Sequence, residues 1–185
     1  MILETKRLTL RPWQLDDVEQ LYKIAQDPLV GRPCGWKEHE DIQESSYILK
    51  HILMVPETYA IINKENGAVM GNIALMLERK NNVSENQNSA AIGCWLGRKY
   101  WKQGYATEAT NEIIRHCFED IGLDELWCAS FLDNITSIKT QEKLGFTQMS
   151  TSKTVHKVSG KEVDSRKARL TKEIWLERKV KETKN

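Results

Sequence analysis

The residues best suited to chemistry lie in a short basic loop between a predicted strand and a predicted helix. Ala90 to Leu96 reads as the strand, and Tyr105 to Ile121 carries an apolar stripe at helical spacing. The first amide groups of a helix lack internal partners and lie at the positive end of its dipole, so they stabilise a phosphate group. Gly104, directly before the helix, lets the main chain approach closely, and the small Ala106 leaves room. The loop also holds three cations: Arg98, Lys99 and Lys102. The segment therefore predicts a phosphate or diphosphate site; a solvated basic loop before an ordinary helix is the alternative.

Groups that could transfer a proton are less clearly marked. Glu78, near the end of a predicted strand, and Glu40, in a loop, are candidates for a general base, although each is more typical of a solvated surface acid. His116 lies in a helix without a spaced partner, and nothing resembles a zinc site, so no metal is expected. Glu108 is interpreted as structural, because the dipole at a helix start favours a negative charge.

Composition bounds the class of protein. The chain has 185 residues and a net charge of +1, so no broad basic field indicates a nucleic-acid or membrane partner. The cysteines are scattered along the sequence: Cys34, Cys94, Cys117 and Cys128. No cationic start is followed by an apolar stretch, and no apolar run approaches the roughly 20 residues of a membrane span. We therefore expect a reduced, cytoplasmic protein.

The remaining pattern predicts an alternation of strands and helices without a linker, and hence a single domain over 1–185. The turn at Asn66-Gly67 suits the positive φ angles of a tight hairpin. Two loops are expected: Leu29–His39, and a mobile polar segment over Lys80–Ser89. The other predicted strands are Leu3–Leu10, Tyr59–Ile62, Val69–Leu77, Leu126–Leu132, Phe146–Val155 and Val163–Leu176. The other predicted helices are Leu15–Asp27, Ile42–Leu53 and Ile135–Leu144.

Four segments, in order and across most of the chain, carry a family resemblance. They are Glu4–Arg11 (ETKRLTLR), Ile92–Leu96 (IGCWL), Trp101–Ala109 (WKQGYATEA) and Asp133–Phe146 (DNITSIKTQEKLGF). Together they resemble the GNAT acetyltransferases, particularly the branch that includes the ribosomal-protein-alanine N-acetyltransferases. The general family pattern has Gln or Arg where this chain has Trp101, and often Gly where it has Lys102.

The resemblance implies both fold and activity. The expected fold is α+β, an α/β three-layer arrangement of about four helices on a mixed, mostly antiparallel sheet of about seven strands that splays to admit the cofactor. The expected activity is transfer of an acetyl group from acetyl-CoA to a primary amine, by direct attack in a ternary complex. The expected partner is therefore an amine acceptor, either a small molecule or a protein N-terminus, and the chain is expected to be a monomer or a homodimer.

The resemblance also assigns roles to residues. Main-chain amides hold the pyrophosphate, the main chain of Trp95 and Leu96 pairs with the pantetheine arm, and the Leu96 N–H stabilises the oxyanion. Asn134 bonds the cofactor's amides, and Ser137 lies close to the sulfur and assists the leaving thiolate. The pyrophosphate residues by this resemblance are Lys102, Gln103, Gly104, Tyr105, Ala106 and Thr107. From the residues alone, two simpler interpretations stay open. Asn134 could equally well be a plain helix cap, and Ser137 could be an ordinary hydroxyl on the helix surface.

The acceptor amine decides whether a general base is needed. An α-amine, with a pKa of about 7.7–8.0, is roughly a quarter neutral near pH ~7.4, whereas a lysine amine, at about 10.4, is neutral in only about one part in a thousand. An enzyme for N-terminal amines could therefore use a water relay, while one for lysine or polyamines would need a positioned carboxylate or histidine. A non-catalytic acyl-CoA-binding or regulatory module is the second hypothesis. An unrelated nucleotide-binding domain is disfavoured, because Gly104 stands outside any G-x-G-x-x-G pattern.

Overall fold

A computed structural model describes residues 1–77 and 88–182. Within these residues the chain forms eight β-strands and six α-helices. The strands are β1 (Leu3–Glu4), β2 (Leu8–Pro12), β3 (Thr58–Asn63), β4 (Val69–Leu77), β5 (Ser89–Leu96), β6 (Glu125–Phe131), β7 (Thr147–Val155) and β8 (Glu162–Thr171). The helices are α1 (Val18–Ala25), α2 (Pro28–Gly31), α3 (Ile42–Ile48), α4 (Tyr105–Arg115), α5 (Ile135–Lys143) and α6 (Lys172–Glu182). The predictions for Glu78 and for most of Lys80–Ser89 lie outside the described residues.

The strands form one mixed sheet in the order β1-β2-β3-β4-β5-β6-β8-β7. β5 and β6 are parallel, with Ser89 to Ala91 opposite Glu125 to Trp127, and the other described registers are antiparallel. This is the predicted fold class, a mixed and mostly antiparallel sheet with helices. The counts, about seven strands and four helices, were too low.

Three local signals account for the difference in counts. Thr5 reverses the chain inside the predicted first strand, because its main chain and side chain both bond Leu8 and β1 folds back onto β2. Asp27 caps α2 by accepting a hydrogen bond from the Leu29 amide (3.0 Å), so part of the predicted loop Leu29–His39 is helical. Thr171 ends β8 and accepts from the Ile174 amide (3.3 Å), which starts α6 where a strand to Leu176 was predicted.

The hairpin between β3 and β4 forms as predicted, but its turn has another geometry. Asn63 donates its amide to the Ala68 carbonyl (2.9 Å), so the connection is longer than two residues. Among the described residues of this turn, only Gly67 has a positive φ (71°). Asn66 therefore does not adopt the left-handed conformation that a two-residue turn of this type requires.

The chain divides into two compact units, and the single-domain assignment over 1–185 stays a prediction. The first unit comprises Met1–Leu75, Gly93–Glu112 and Lys157–Gly160. In it, α1 packs its apolar face into a core with residues of β3 and β4. This core contains Trp13, Leu21, Ile24, Ala25, Val30, Leu49, Leu53, Ala60, Ile62 and Val69. Burying one Val, Leu or Ile side chain in such a core stabilises the folded state by about 1.5–3 kcal/mol.

The second unit comprises Met76–Ile92, Ile113–His156 and Lys161–Asn185. In it, β6 pairs antiparallel with β8, and β8 pairs with β7. The continuation of α4 forms a wider turn over His116–Ile121 and ends at Gly122, whose φ of 82° provides the predicted left-handed cap. Phe118 of this turn is fully buried and packs against Trp175 of α6, with 5.4 Å between the ring centroids and the rings tilted by 42°.

Candidate active site

β4 and the end of β5 approach each other unusually closely. The Gly97 amide donates to the Met70 carbonyl (2.8 Å), and a Cβ placed on Gly71 would lie 2.1 Å from the carbonyl oxygen of Trp95. A side chain at position 71 would therefore collide with the main chain of β5. This contact shows that the Trp95 carbonyl faces β4.

The next residue of β5 faces the opposite way. Successive residues of a strand direct their main-chain groups to opposite edges, so the N–H and C=O of Leu96 lie on the edge away from β4. The Leu96 carbonyl accepts a hydrogen bond from the indole N–H of Trp101 (2.7 Å). Of the two β5 residues predicted to bind the pantetheine arm, Leu96 has its main-chain groups on the edge of β5 away from β4, whereas Trp95 has its carbonyl turned toward β4.

The basic loop after β5 contains two left-handed residues. A 3₁₀ turn over Arg98–Tyr100 leads to Lys102, with a φ of 59°, and to Gly104, with a φ of 81°. The positive φ of Lys102 costs of order 1 kcal/mol in a residue with a Cβ. Lys102 therefore has the left-handed conformation that glycine adopts most easily. This explains why glycine is common at this position in the family that the sequence resembles.

The loop continues into a row of main-chain donors that have no acceptor in the described part of the chain. The amide of Glu108 donates to the Gly104 carbonyl (3.0 Å), which is the first hydrogen bond along α4. In residues 1–77 and 88–182, the amides from Gln103 to Thr107 have no acceptor. These donors lie at the positive end of the α4 dipole, an arrangement that binds phosphate. The row comprises Gln103, Gly104, Tyr105, Ala106 and Thr107, which are five of the six residues predicted for the pyrophosphate; the sixth, Lys102, directly precedes it.

The first turn of α4 is clamped to the segment between β1 and β2. The Glu108 carboxylate accepts hydrogen bonds from the Arg7 amide (2.8 Å), the Arg7 Nε (2.6 Å) and the Thr5 hydroxyl (2.7 Å). Arg7 also donates to the Gln103 carbonyl (3.1 Å), and its guanidinium lies 4.1 Å from the centre of the Tyr105 ring. Partial burial would raise the pKa of Glu108, but the bonds from Thr5 and Arg7 hold it below its ordinary value. Glu108 thus has a structural role, as predicted, although it acts through Arg7 and Thr5 as well as the helix dipole.

An aromatic cluster lies in the same unit. Trp36 stacks edge-on against Trp95 and lies beside His39, with 5.6 Å between ring centroids in each pair. Trp13 is buried and donates its indole N–H to Asn72 (2.8 Å). Trp36 and Trp95 are half-buried and pack against the buried core of this unit.

The acid–base candidates differ in their surroundings. Glu40 is exposed and forms an ion pair with Lys37, which is typical of a surface acid. His116 is buried, and its Nδ1 lies 2.8 Å from a carboxylate oxygen of Asp120. In the two described stretches, no group of three or more His, Cys, Asp or Glu residues could hold a metal ion. In the same stretches, the helices are too short or too polar to cross a bilayer.

The second unit holds the predicted residues Asn134 and Ser137. Asn134 caps α5, because its side-chain oxygen accepts from the Ser137 amide (3.2 Å). The Ser137 hydroxyl lies 2.9 Å from that of Ser130 and 3.1 Å from the side-chain nitrogen of Gln141. Sequence reasoning missed Ser130 and Gln141. Gln141 was detectable from its spacing, since residues four apart share a helix face.

The comparisons with known proteins define the class. The family profile of the acetyltransferase (GNAT) domain matches residues 7–147. The chain therefore belongs to the GNAT acetyltransferases, as the four segments of the sequence predicted. Within that class it is an acetyl-CoA-dependent N-acetyltransferase.

Two curated relatives span most of the chain. An uncharacterized N-acetyltransferase of Bacillus licheniformis, p20, is 27% identical over 167 residues, which cover 88% of this chain and 91% of p20. The FsC-acetyl coenzyme A-N(2)-transacetylase of Aspergillus fumigatus is 27% identical over 184 residues, which cover 94% of this chain and 77% of that enzyme.

Solved structures share the fold. A GNAT-family acetyltransferase from Bacillus anthracis superposes with a TM-score of 0.82 at 18% identity, covering 94% of this chain and 99% of that one. A proposed ribosomal-protein-serine acetyltransferase from Vibrio cholerae superposes with a TM-score of 0.75 at 21% identity, covering 92% and 97%. At these identities the likeness confirms the fold.

Proposed function

We propose that this protein transfers the acetyl group of acetyl-CoA directly to a primary amine while both are bound. The observation that carries the proposal is the row of amides from Gln103 to Thr107, which lack acceptors in the described part of the chain. A diphosphate matches these donors in charge and hydrogen-bonding capacity. Gly104 provides close approach, and Lys102 adds a cation beside the first of these amides.

The reaction needs little from side chains. The neutral amine attacks the thioester carbon, the C–N bond forms, the C–S bond breaks, and the proton lost by the amine balances the departing thiolate. We assign the oxyanion to the Leu96 N–H, because it lies on the edge of β5 away from β4. A donor of this kind contributes about 2.7–4 kcal/mol to transition-state stabilisation, and holding both reactants supplies the proximity effect.

Asn134 and Ser137 are assigned from the family resemblance. Asn134 is proposed to bond the amides of the pantetheine arm in addition to capping α5. Ser137 is proposed to donate a hydrogen bond to the sulfur as the thiolate leaves. Ser137→Ala should then lower turnover far more than it alters acetyl-CoA affinity.

The proposed acceptor is an α-amine, on a protein N-terminus or on a small molecule. The neutral fraction of an α-amine near neutral pH exceeds that of a lysine amine by more than two orders of magnitude, or about 3.5 kcal/mol. A water relay is then sufficient for deprotonation. The polyamines remain the second acceptor class, and they would require a positioned base.

One experiment tests the proposal. Binding of acetyl-CoA is measured by calorimetry, and thiol release is followed with peptides of varied N-termini, the same peptides with blocked N-termini, polyamines and aminoglycosides. We expect acetyl-CoA binding, and thiol release with free but not blocked α-amines. Stoichiometric binding without thiol release across the panel would identify a non-catalytic acyl-CoA-binding module. Absence of binding would overturn the whole proposal.

A further inference from the structure

The buried ladder between β6 and β8 is apolar along most of its length and polar at one end. Leu126 is opposite Leu170, and Cys128 is opposite Ala168. The next cross-strand pair on this face joins Ser130, 8% exposed, to Arg166, 3% exposed. Buried polar residues at core positions lower stability unless they are well bonded, and proteins retain them where function requires them.

The polar end of the ladder faces the helix that carries Ser137. Ser137 and Gln141 are four residues apart and so lie on one face of α5. The Gln141 side-chain nitrogen donates to the hydroxyl of Ser130 (2.5 Å) and to that of Ser137 (3.1 Å), while the two hydroxyls lie 2.9 Å apart. Each member of this triangle thus contacts both of the others.

The direction of each hydrogen bond follows from the available donors and acceptors. The side-chain nitrogen of Gln141 faces both serines, and its Oε1 is buried without a partner among the described residues. In this orientation of the amide, the nitrogen only donates, so both serine oxygens are acceptors toward it. Within the described residues, the Ser130 hydroxyl has Ser137 Oγ as its one acceptor. Leaving a buried hydroxyl proton unpaired costs about 1–3 kcal/mol, so Ser130 donates to Ser137. The Ser137 oxygen then accepts two hydrogen bonds, and its own proton points away from the triangle.

We propose that Ser130 and Gln141 are positioning residues that direct the Ser137 hydroxyl proton outward, toward the sulfur that leaves during acetyl transfer. This inference rests on the function proposed above for Ser137. As the C–S bond breaks, the sulfur keeps the electron pair and gains negative charge, which the Ser137 O–H stabilises as a hydrogen-bond donor. Two incoming hydrogen bonds polarise that hydroxyl and strengthen its donation.

The test compares kcat and KM for acetyl-CoA among variants of the full chain, with an acceptor found in the thiol-release screen. Ser130→Ala removes the proton that fixes the direction of the triangle. Gln141→Glu keeps the shape of the side chain. When ionised, the glutamate only accepts hydrogen bonds, so the Ser137 hydroxyl donates to it instead of pointing outward. We expect each to lower kcat by about tenfold or more with an unchanged KM for acetyl-CoA. Ser165→Ala, in the exposed Ser152–Ser165 pair of the same unit, should leave kcat unchanged.

A double-variant cycle separates positioning from general loss of structure. If Ser130 acts through Ser137, then Ser130→Ala should have no further effect on kcat in the Ser137→Ala background. An equal loss in both backgrounds, or unchanged kcat in the single Ser130 variant, would overturn the inference. Thermal unfolding and calorimetric acetyl-CoA affinity identify any variant that fails to fold. If Ser130→Ala fails to fold, the kcat of Gln141→Glu tests the inference in its place. If the wild-type protein is active and the variants have the same kcat, this inference alone is wrong. If the wild-type protein is inactive with every acceptor, the proposed function and this inference are both wrong.

Discussion

Glu108 accepts hydrogen bonds from both the main-chain amide and the guanidinium of Arg7, although the two residues are 101 positions apart in sequence. The same guanidinium donates to the carbonyl of Gln103, the residue that begins the row of amides without an acceptor in residues 1–77 and 88–182. Arg7 thereby joins the first turn of α4 to the loop before it. We therefore expect the conformation of the proposed diphosphate donors to depend on this contact.

Loss of the Glu108 charge should weaken acetyl-CoA binding. Glu108→Gln removes the charge-assisted hydrogen bonds to Arg7. We expect the loop before α4 to become less ordered, so that the amides from Gln103 to Thr107 no longer point in one direction. We expect KM for acetyl-CoA to rise about five- to tenfold with little change in kcat, measured by steady-state thiol release. Glu19→Gln, an exposed glutamate in the first turn of α1, is the control. Equal effects of the two variants would contradict the role of the clamp.

The same clamp should make stability depend on pH. The folded-state pKa of Glu108 lies below its ordinary value, so its contribution is complete above the unfolded-state pKa of about 4.3 and is lost as pH falls through the folded-state pKa. Wild type should therefore exceed Glu108→Gln in free energy of unfolding at pH 7, and the difference should shrink below about pH 4.3. Denaturant unfolding at several pH values measures this difference. A difference that grew toward acidic pH would show the opposite shift.

A side chain at Gly104 should disturb the proposed diphosphate site through the main chain alone. A Cβ there would meet Arg7 Nη2 at 3.4 Å, an ordinary contact, but the φ of 81° disfavours alanine by roughly 1–2 kcal/mol. Gly67→Ala is the matched control, because φ is 71° and the space around it is open. We expect similar losses of stability in both variants, and an acetyl-CoA Kd raised about tenfold in Gly104→Ala alone. Calorimetry and thermal unfolding test this, and equal affinities would remove Gly104 from the site.

The ion pair of Arg166 should contribute more to stability than an exposed pair on the same sheet. Arg166 is buried and donates to Glu142 (3.0 Å), whereas its Nε and Nη2 have no acceptor among the described residues. Glu142→Ala leaves this guanidinium buried without its carboxylate, so we expect a loss of about 1–3 kcal/mol in the free energy of unfolding. Glu162→Ala breaks the exposed pair with Lys153 and should cost under about 1 kcal/mol. Denaturant unfolding of both variants gives the comparison.

Local signals in the sequence located most elements and explain the errors. The stripe from Tyr105 to Ile121 and Gly122 predicted the longest helical stretch correctly, because helix period and cap are local properties. The predictions were wrong at three positions, namely Thr5, Asp27 and Thr171. Each changes the path of the chain through one side-chain bond to a neighbouring amide or carbonyl, which apolar periodicity does not register.

The sequence alone determined the family, the order of the elements and the loop that leads through Gly104 into α4, since these depend on residue type and short-range spacing. The tertiary structure decided which amides around Gly104 lack an acceptor among the described residues, that Arg7 binds Glu108, and that Ser130 and Gln141 contact Ser137. These contacts join residues that are distant in the chain or lie on different elements. Sheet order and strand register bring such residues together, and both result from packing the whole molecule.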